Sequence, residues 1–199
     1  MSLVIGLTGS IASGKSTVSQ MFDDYSIPVV DADKLAREVV EPGQTAYKQV
    51  VDTFGETILR EDKSLNRPAL GQIIFADESK RKLLNGIVHP AIRERMLERR
   101  DFYLNAGVKC VVLDIPLLFE SELSHFADRT IVVSVDETVQ LKRLMERDNY
   151  TEKEAWQRIR SQMPLEEKVR MADAVIDNNG SIKESRSQLE VLLKDWKIL

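Results

Sequence analysis

Residues Gly9 to Thr17 read Gly-Ser-Ile-Ala-Ser-Gly-Lys-Ser-Thr, a full match to the phosphate-loop pattern G-x-x-x-x-G-K-[ST]. A glycine-rich turn lets successive backbone N–H groups converge on phosphate oxygens at the start of a helix, where the helix dipole also favours negative charge. Gly9, Ser10, Ile11, Ala12, Ser13, Gly14, Lys15, Ser16 and Thr17 are therefore candidate contacts to a nucleoside triphosphate. Among them Lys15 is expected to reach the β- and γ-phosphates, and the Ser16 hydroxyl to hold Mg²⁺. Two glycines, a lysine and a hydroxyl at these offsets arise by chance in about one chain of this length in a hundred.

The context strengthens the match. Val4-Ile5-Gly6-Leu7-Thr8 before the loop is a short apolar run of the kind found in buried parallel strands, and Val18, Met21 and Phe22 after it fall at helical spacing. Further β-prone runs recur at Ile27 to Val30, Val108 to Leu113, Thr130 to Val135 and, more weakly, Ala174 to Ile176, with helical patterns between them. That order reads as an α/β fold with a doubly wound parallel sheet, in which ligands bind at the carboxyl ends of the strands.

Two regions interrupt the alternation. Between Lys34 and Gly107 the pattern reads as helices over Leu35 to Val40, Ala46 to Phe54, a segment opening at Pro68, and Pro90 to Leu104. Between Thr138 and Gln162 a charged helix is expected to end near Asn149, with a second opening at Thr151, Glu154 completing a capping box and Pro164 ending it. Such a hairpin suits a mobile lid, or a solvated surface element.

Composition narrows the class. At 199 residues, one α/β core with insertions is the economical organisation. The net charge of −4, from 28 Lys+Arg against 32 Asp+Glu, gives no global reason to expect nucleic acid or an anionic membrane as partner. Cys110 is the only cysteine and sits in an apolar run, so an intrachain disulfide is excluded and a core position is expected. No stretch is long and apolar enough for a membrane span and no leader pattern opens the chain, which fits a cytoplasmic location.

The strand ends supply the candidate chemistry. Asp31-Ala32-Asp33 closes the second strand and should sit beside the phosphate loop. One of its carboxylates could accept the proton of an attacking hydroxyl or hold the water shell of Mg²⁺, while either could merely cap the helix that follows, Asp33 being directly before it. Asp114 follows four apolar residues, the form of an acid that supports the metal. Arg143 and Arg147, at i and i+4, share a helix face and could neutralise a transferring phosphoryl group, although Glu146, Asp148, Glu152 and Glu154 are near enough for surface ion pairs. His89-Pro90 is expected to open a helix, His89 being either its cap or a substrate contact, with Arg93 one turn on.

The whole chain resembles the dephospho-coenzyme A kinases. The resemblance rests on Ile5-Gly6-Leu7-Thr8-Gly9, Asp31-Ala32-Asp33-Lys34-Leu35-Ala36-Arg37, Leu84 to Arg93, Asp114-Ile115-Pro116-Leu117-Leu118-Phe119-Glu120, Ser161-Gln162-Met163-Pro164 and Ala172-Asp173 to Gly180. It implies a three-layer P-loop NTPase core with a parallel five-stranded sheet (1–33, 108–137 and 164–199), a helical substrate-binding insertion (34–107) and a helical lid (138–163). It implies ATP-dependent phosphorylation of the ribose 3′-hydroxyl of dephospho-coenzyme A, with ATP and Mg²⁺ as cofactors. The partner is then a small molecule, with no nucleic acid and no membrane, and the chain a monomer. Residue by residue, Asp33 corresponds to the base and Arg143 to the lid arginine. Thr8, Arg37, His89 and Arg93 belong with Asp33 to the substrate site, and Arg147 and Asn178 to the nucleotide site. The family usually has glycine at the positions of Ser10 and Ala12, where a positive φ would bring modest strain.

Other phosphate-loop proteins fit less well. Adenylate-type kinases follow the central strand with Asp-Gly-Phe-Pro-Arg, where this chain has Asp114-Ile115-Pro116-Leu117-Leu118. A GTPase switch needs Asn-Lys-x-Asp for guanine, which is absent.

Overall fold

The computed structural model describes residues 2–199. Its five strands, β1 (Leu3–Gly9), β2 (Val29–Asp31), β3 (Cys110–Asp114), β4 (Arg129–Ser134) and β5 (Ala174–Asp177), form one sheet in the order β2-β3-β1-β4-β5. The sheet is parallel, as the spacing of the apolar runs predicts. β1 lies between β3 and β4, with Leu7 opposite Asp114 on one side and Gly9 opposite Val133 on the other. Early crossovers run to one side of β1 and later ones to the other, so the order reverses at the strand that leads into the phosphate loop. β3, and not β2, is the neighbour of β1.

The chain divides into two compact units, one from residues up to Val30 together with Phe102–Leu199, the other Asp31–Asp101. In the first, the central strands are buried on both faces, which is why they read as continuous apolar runs. On one face Ile5, Val112, Ile131, Val133 and Ile176 pack with Val18 and Met21 of α1 (Lys15–Met21) and with Leu189 and Leu193 of the carboxyl-terminal helix (Ile182–Asp195). That last helix starts with a complete capping box between Ser181 and Glu184. Cys110 is buried in the same cluster as a free thiol, and burial, with a smaller contribution from Asp128, pushes it up to about 12.

The second unit has its own core. α2 (Ala32–Glu38), α3 (Thr45–Phe54), α4 (Arg67–Ala76) and α5 (Glu78–Asn105) contribute Val39, Val50, Leu70 and flanking residues around Ile58 and Leu65, which lie on the connection between α3 and α4. Two expectations change here. The cap of α2 is Asp31, whose Oδ1 accepts from the N–H groups of Asp33 at 2.9 Å and Lys34 at 3.1 Å. Asp33 lies inside the first turn and is not the cap. Pro90 does not open a helix either: it and His89 lie within the 28-residue α5. The helix starts instead at Asp77, whose Oδ1 takes hydrogen bonds from the N–H groups of Ser79 at 2.8 Å and Lys80 at 3.2 Å. A proline there costs the Gly86 carbonyl its intrahelical donor, a local loss that a long helix held elsewhere by its core contacts tolerates.

The expected charged hairpin is present as α6 (Glu137–Asp148), ending at a left-handed Asn149, and α7 (Glu152–Arg160), opened by the capping box of Thr151 and Glu154. Leu144, Ala155 and Ile159 form its small core. Pro164 does not end α7, which stops at Arg160. It precedes α8 (Leu165–Met171), where a residue without an N–H removes nothing the first turn needs. The carboxyl-terminal helix is α9. Among the described residues, no helix is long and apolar enough to cross a membrane.

Candidate active site

The phosphate loop leaves β1 at Gly9 and enters α1 at Lys15. Its turn closes through Ser13 N–H donating to the Ser10 carbonyl at 3.0 Å. Gly14 has φ +87°, and a Cβ there would stand 2.0 Å from Asn178 Nδ2, so backbone conformation and space both require glycine. Of the two positions where the family usually has glycine, Ala12 is left-handed at φ 60° and Ser10 is not. For a non-glycine residue that conformation costs about 1 kcal/mol, which its surroundings must offset.

Two cations organise the floor of the loop. The Lys15 ammonium forms an ion pair with Oδ1 of Asp114, a carboxylate that is almost wholly buried at the end of β3. Lys168 of α8 is 0% exposed, and its ammonium donates to the carbonyl of Gly9 at 2.9 Å and of Pro116 at 3.4 Å while pairing with Glu120 Oε1 at 2.7 Å. It thereby ties the end of β1 to the segment that follows β3. Thr8 adds a second tie, being fully buried with its hydroxyl donated to the Pro116 carbonyl at 3.0 Å. Its side chain is thus committed to the scaffold beneath the loop.

The hairpin and the end of β5 reach the loop from other directions. Asn178 Nδ2 donates to the Ser13 carbonyl at 2.8 Å, and Arg143 donates to the Asn178 carbonyl at 2.9 Å. A Cβ on Gly14 would lie 3.8 Å from an Arg143 guanidinium nitrogen, so Arg143 and Asn178 are both gathered at the loop. Arg147, one turn on, is not: its guanidinium forks onto Asp148 at 2.9 and 2.8 Å, a bond that raises the Arg147 pKa and lowers that of Asp148. The surface ion pair anticipated for this helix is therefore real at Arg147 and absent at Arg143 among the described contacts. Ile11 and Ser10 are held by Gln140 and Gln162.

The oxygen donors at the loop, the Ser16 hydroxyl and the Asp114 carboxylate, are of the hard kind that suits Mg²⁺. Among the described residues no cluster of three or more His, Cys, Asp or Glu could form an all-protein metal cage, and Mg²⁺ shared with nucleotide phosphates needs none.

A sequence profile of the family described as "Dephospho-CoA kinase" matches residues 3–184. The chain belongs to the dephospho-CoA kinase family. A relative from Oceanobacillus iheyensis named "Dephospho-CoA kinase" is 59% identical over the full length of both chains. The solved "Dephospho-CoA kinase from Campylobacter jejuni" is 29% identical, with TM-score 0.76 over 98% of each chain. A "Shikimate kinase from Acinetobacter baumannii in complex with shikimate" is 15% identical, with TM-score 0.53 over 99% of this chain and 94% of that one, a likeness of fold alone.

The remaining candidates belong to the helical unit. Asp33 and Arg37, four residues apart on α2, share its exposed side, and His89 and Arg93 are spaced the same way on α5. Lys168 and Gln140 escape the sequence reading as site residues, and Glu120 and Gln162 enter it only through the family motifs. Gln140 carried a usable signal: it stands four residues before the buried Leu144, a polar residue on the apolar face of an amphipathic helix.

The Lys168 lock is directly measurable. Lys168→Met strands the Glu120 charge and two backbone carbonyls, so urea unfolding should show a loss of about 3–5 kcal/mol, part of it recovered when Glu120→Gln is added. A loss under about 1 kcal/mol would mean that the buried ammonium is incidental.

Proposed function

We propose that this chain transfers the γ-phosphoryl group of ATP to the ribose 3′-hydroxyl of dephospho-coenzyme A, giving coenzyme A and ADP. The observation that carries the reading is full-length similarity to dephospho-CoA kinases in a chain whose phosphate loop is complete. In the reaction the 3′-oxygen forms a bond to the γ-phosphorus as the bond from that phosphorus to the β,γ-bridging oxygen breaks. The electron pair leaves with ADP, and the hydroxyl proton passes to a base.

Each proposed role follows from what a residue offers. The loop N–H groups from Gly9 to Thr17 and the Lys15 ammonium offset charge on the β- and γ-phosphates. Ser16 and Asp114 would hold Mg²⁺, which when bound neutralises phosphate charge. Arg143, already beside Gly14, is the cation best placed to follow charge spreading over the transferring group, and Asn178 lines the nucleotide side. Arg147 serves there only if its fork onto Asp148 opens. Asp33 accepts the proton, the role that the family resemblance implies, while Asp31 caps α2. Arg37, His89 and Arg93 offer the helical unit's polar contacts to the acceptor, while Thr8 supports the strand beneath. The α6–α7 hairpin acts as the lid that excludes water during transfer.

A coupled ADP-release assay comparing dephospho-coenzyme A, AMP, adenosine and no acceptor tests this. We expect turnover with dephospho-coenzyme A, abolished by EDTA. Robust turnover with AMP and none with dephospho-coenzyme A would identify a nucleoside monophosphate kinase instead.

The two aspartates at α2 should separate cleanly. Asp33→Asn is expected to lower kcat by about 10²–10⁴ with little change in the KM for ATP, the range for a lost general base. Asp31→Ala should instead cost about 1 kcal/mol of stability as a lost cap. Near-normal kcat in Asp33→Asn would remove Asp33 from the base role.

A further inference from the structure

Ile11 is gripped from both ends of the hairpin. Its carbonyl accepts from Gln140 Nε2 at 2.7 Å and its N–H donates to Gln162 Oε1 at 2.9 Å. Gln140 lies near the start of α6 and Gln162 just beyond the end of α7, so the two amides come from the two feet of one element. Ser10 closes the circuit, its hydroxyl accepting from Gln140 Nε2 at 2.8 Å and donating to Gln162 Oε1 at 2.9 Å. Gln140 is 1% exposed and Ser10 is 9% exposed, which shields the bond between them from water. Together the glutamines do for Ile11 what a neighbouring strand does in a sheet, satisfying N–H and C=O at once.

The next residue is Ala12, held left-handed at φ 60°. Its side chain and that of Ile11 pack against the hairpin core of Leu144, Ala155 and Ile159. Backbone and side chains of the loop's variable residues are thus set by the hairpin, while their conformation is one that an alanine does not hold unaided.

We propose that Gln140 and Gln162 are positioning residues for the nucleotide, holding Ile11 so that Ala12 stays left-handed and the loop's N–H groups keep the arrangement that receives phosphate. The inference rests on the ATP-binding part of the functional reading. It makes ATP affinity depend on the feet of the hairpin, separately from any cation the hairpin carries.

The test measures ATP binding by calorimetry without acceptor, and kcat with dephospho-coenzyme A at saturating ATP. Gln162→Met keeps the bulk and removes the acceptor of both the Ile11 N–H and the Ser10 hydroxyl, so it should weaken ATP binding about tenfold, with kcat changing less than about threefold. Ala12→Gly relieves the strain that the clamp resists. Added to Gln162→Met, it should bring ATP affinity back to within about threefold of Ala12→Gly alone, a coupling that a double-mutant cycle isolates. Unchanged ATP affinity in Gln162→Met would overturn the proposal, and so would the same tenfold loss with Ala12→Gly already present. Should circular dichroism find Gln162→Met unfolded, Ser10→Ala carries the test. It removes only the relaying hydroxyl and should weaken ATP binding about threefold, again suppressed by Ala12→Gly, and an unsuppressed or absent effect would overturn the idea. Wild-type protein that binds ATP but leaves dephospho-coenzyme A unphosphorylated would refute the acceptor assignment while the binding arm still decides the clamp.

Discussion

One buried ammonium, that of Lys168, ties the end of β1 to the chain leaving β3. A charge taken wholly out of water is stable only where oxygens surround it, and here two carbonyls and the Glu120 carboxylate do so. The consequence is positional. Gly9, where the phosphate loop begins, is fixed relative to the strand that ends in Asp114, and Asp114 in turn holds Lys15. Lys15 and Asp114 are thereby held at the loop before any ligand arrives, and such preorganisation is the condition under which electrostatic stabilisation of a transferring phosphoryl group is strong.

Around that anchor the loop is held from three sides. Lys168 lies beneath it, Asn178 and Arg143 fix its Ser13–Gly14 end, and the glutamine pair fixes Ile11. A glycine-rich segment would otherwise sample many conformations at a substantial entropic cost on binding. This chain restrains the loop with side chains from α6, α8, the end of α7 and the end of β5, so that the nucleotide meets an ordered surface. Membership in the dephospho-CoA kinase family gives that surface its acceptor.

Much of this was legible in the residues. The strands announce themselves as apolar runs because a parallel sheet is buried on both faces, and the capping box at Thr151 marks its helix start because Ser/Thr and Glu three apart satisfy orphan N–H groups. Other features have no local signature. Lys168 stands in Leu-Glu-Glu-Lys-Val-Arg-Met, which reads as an exposed charged helix, and only the packing of α8 under the loop buries it. Arg143 and Arg147 are indistinguishable by spacing, and what separates them is that Asp148 captures one and Asn178 the other. Pro90 misleads because proline suits helix starts, whereas the real start is set by Asp77 thirteen positions earlier. Which of Asp31 and Asp33 caps α2 is settled by where the chain turns into the helix, so that its N–H groups meet the Asp31 carboxylate.

The central claim is that phosphate goes to one defined hydroxyl, and the product itself reports it. Phosphorus and proton NMR of the compound formed from ATP and dephospho-coenzyme A should show a new phosphomonoester coupled to the ribose H3′ and no other new phosphate. A phosphomonoester coupled to H2′, or ATP consumed with only inorganic phosphate released, would contradict the account.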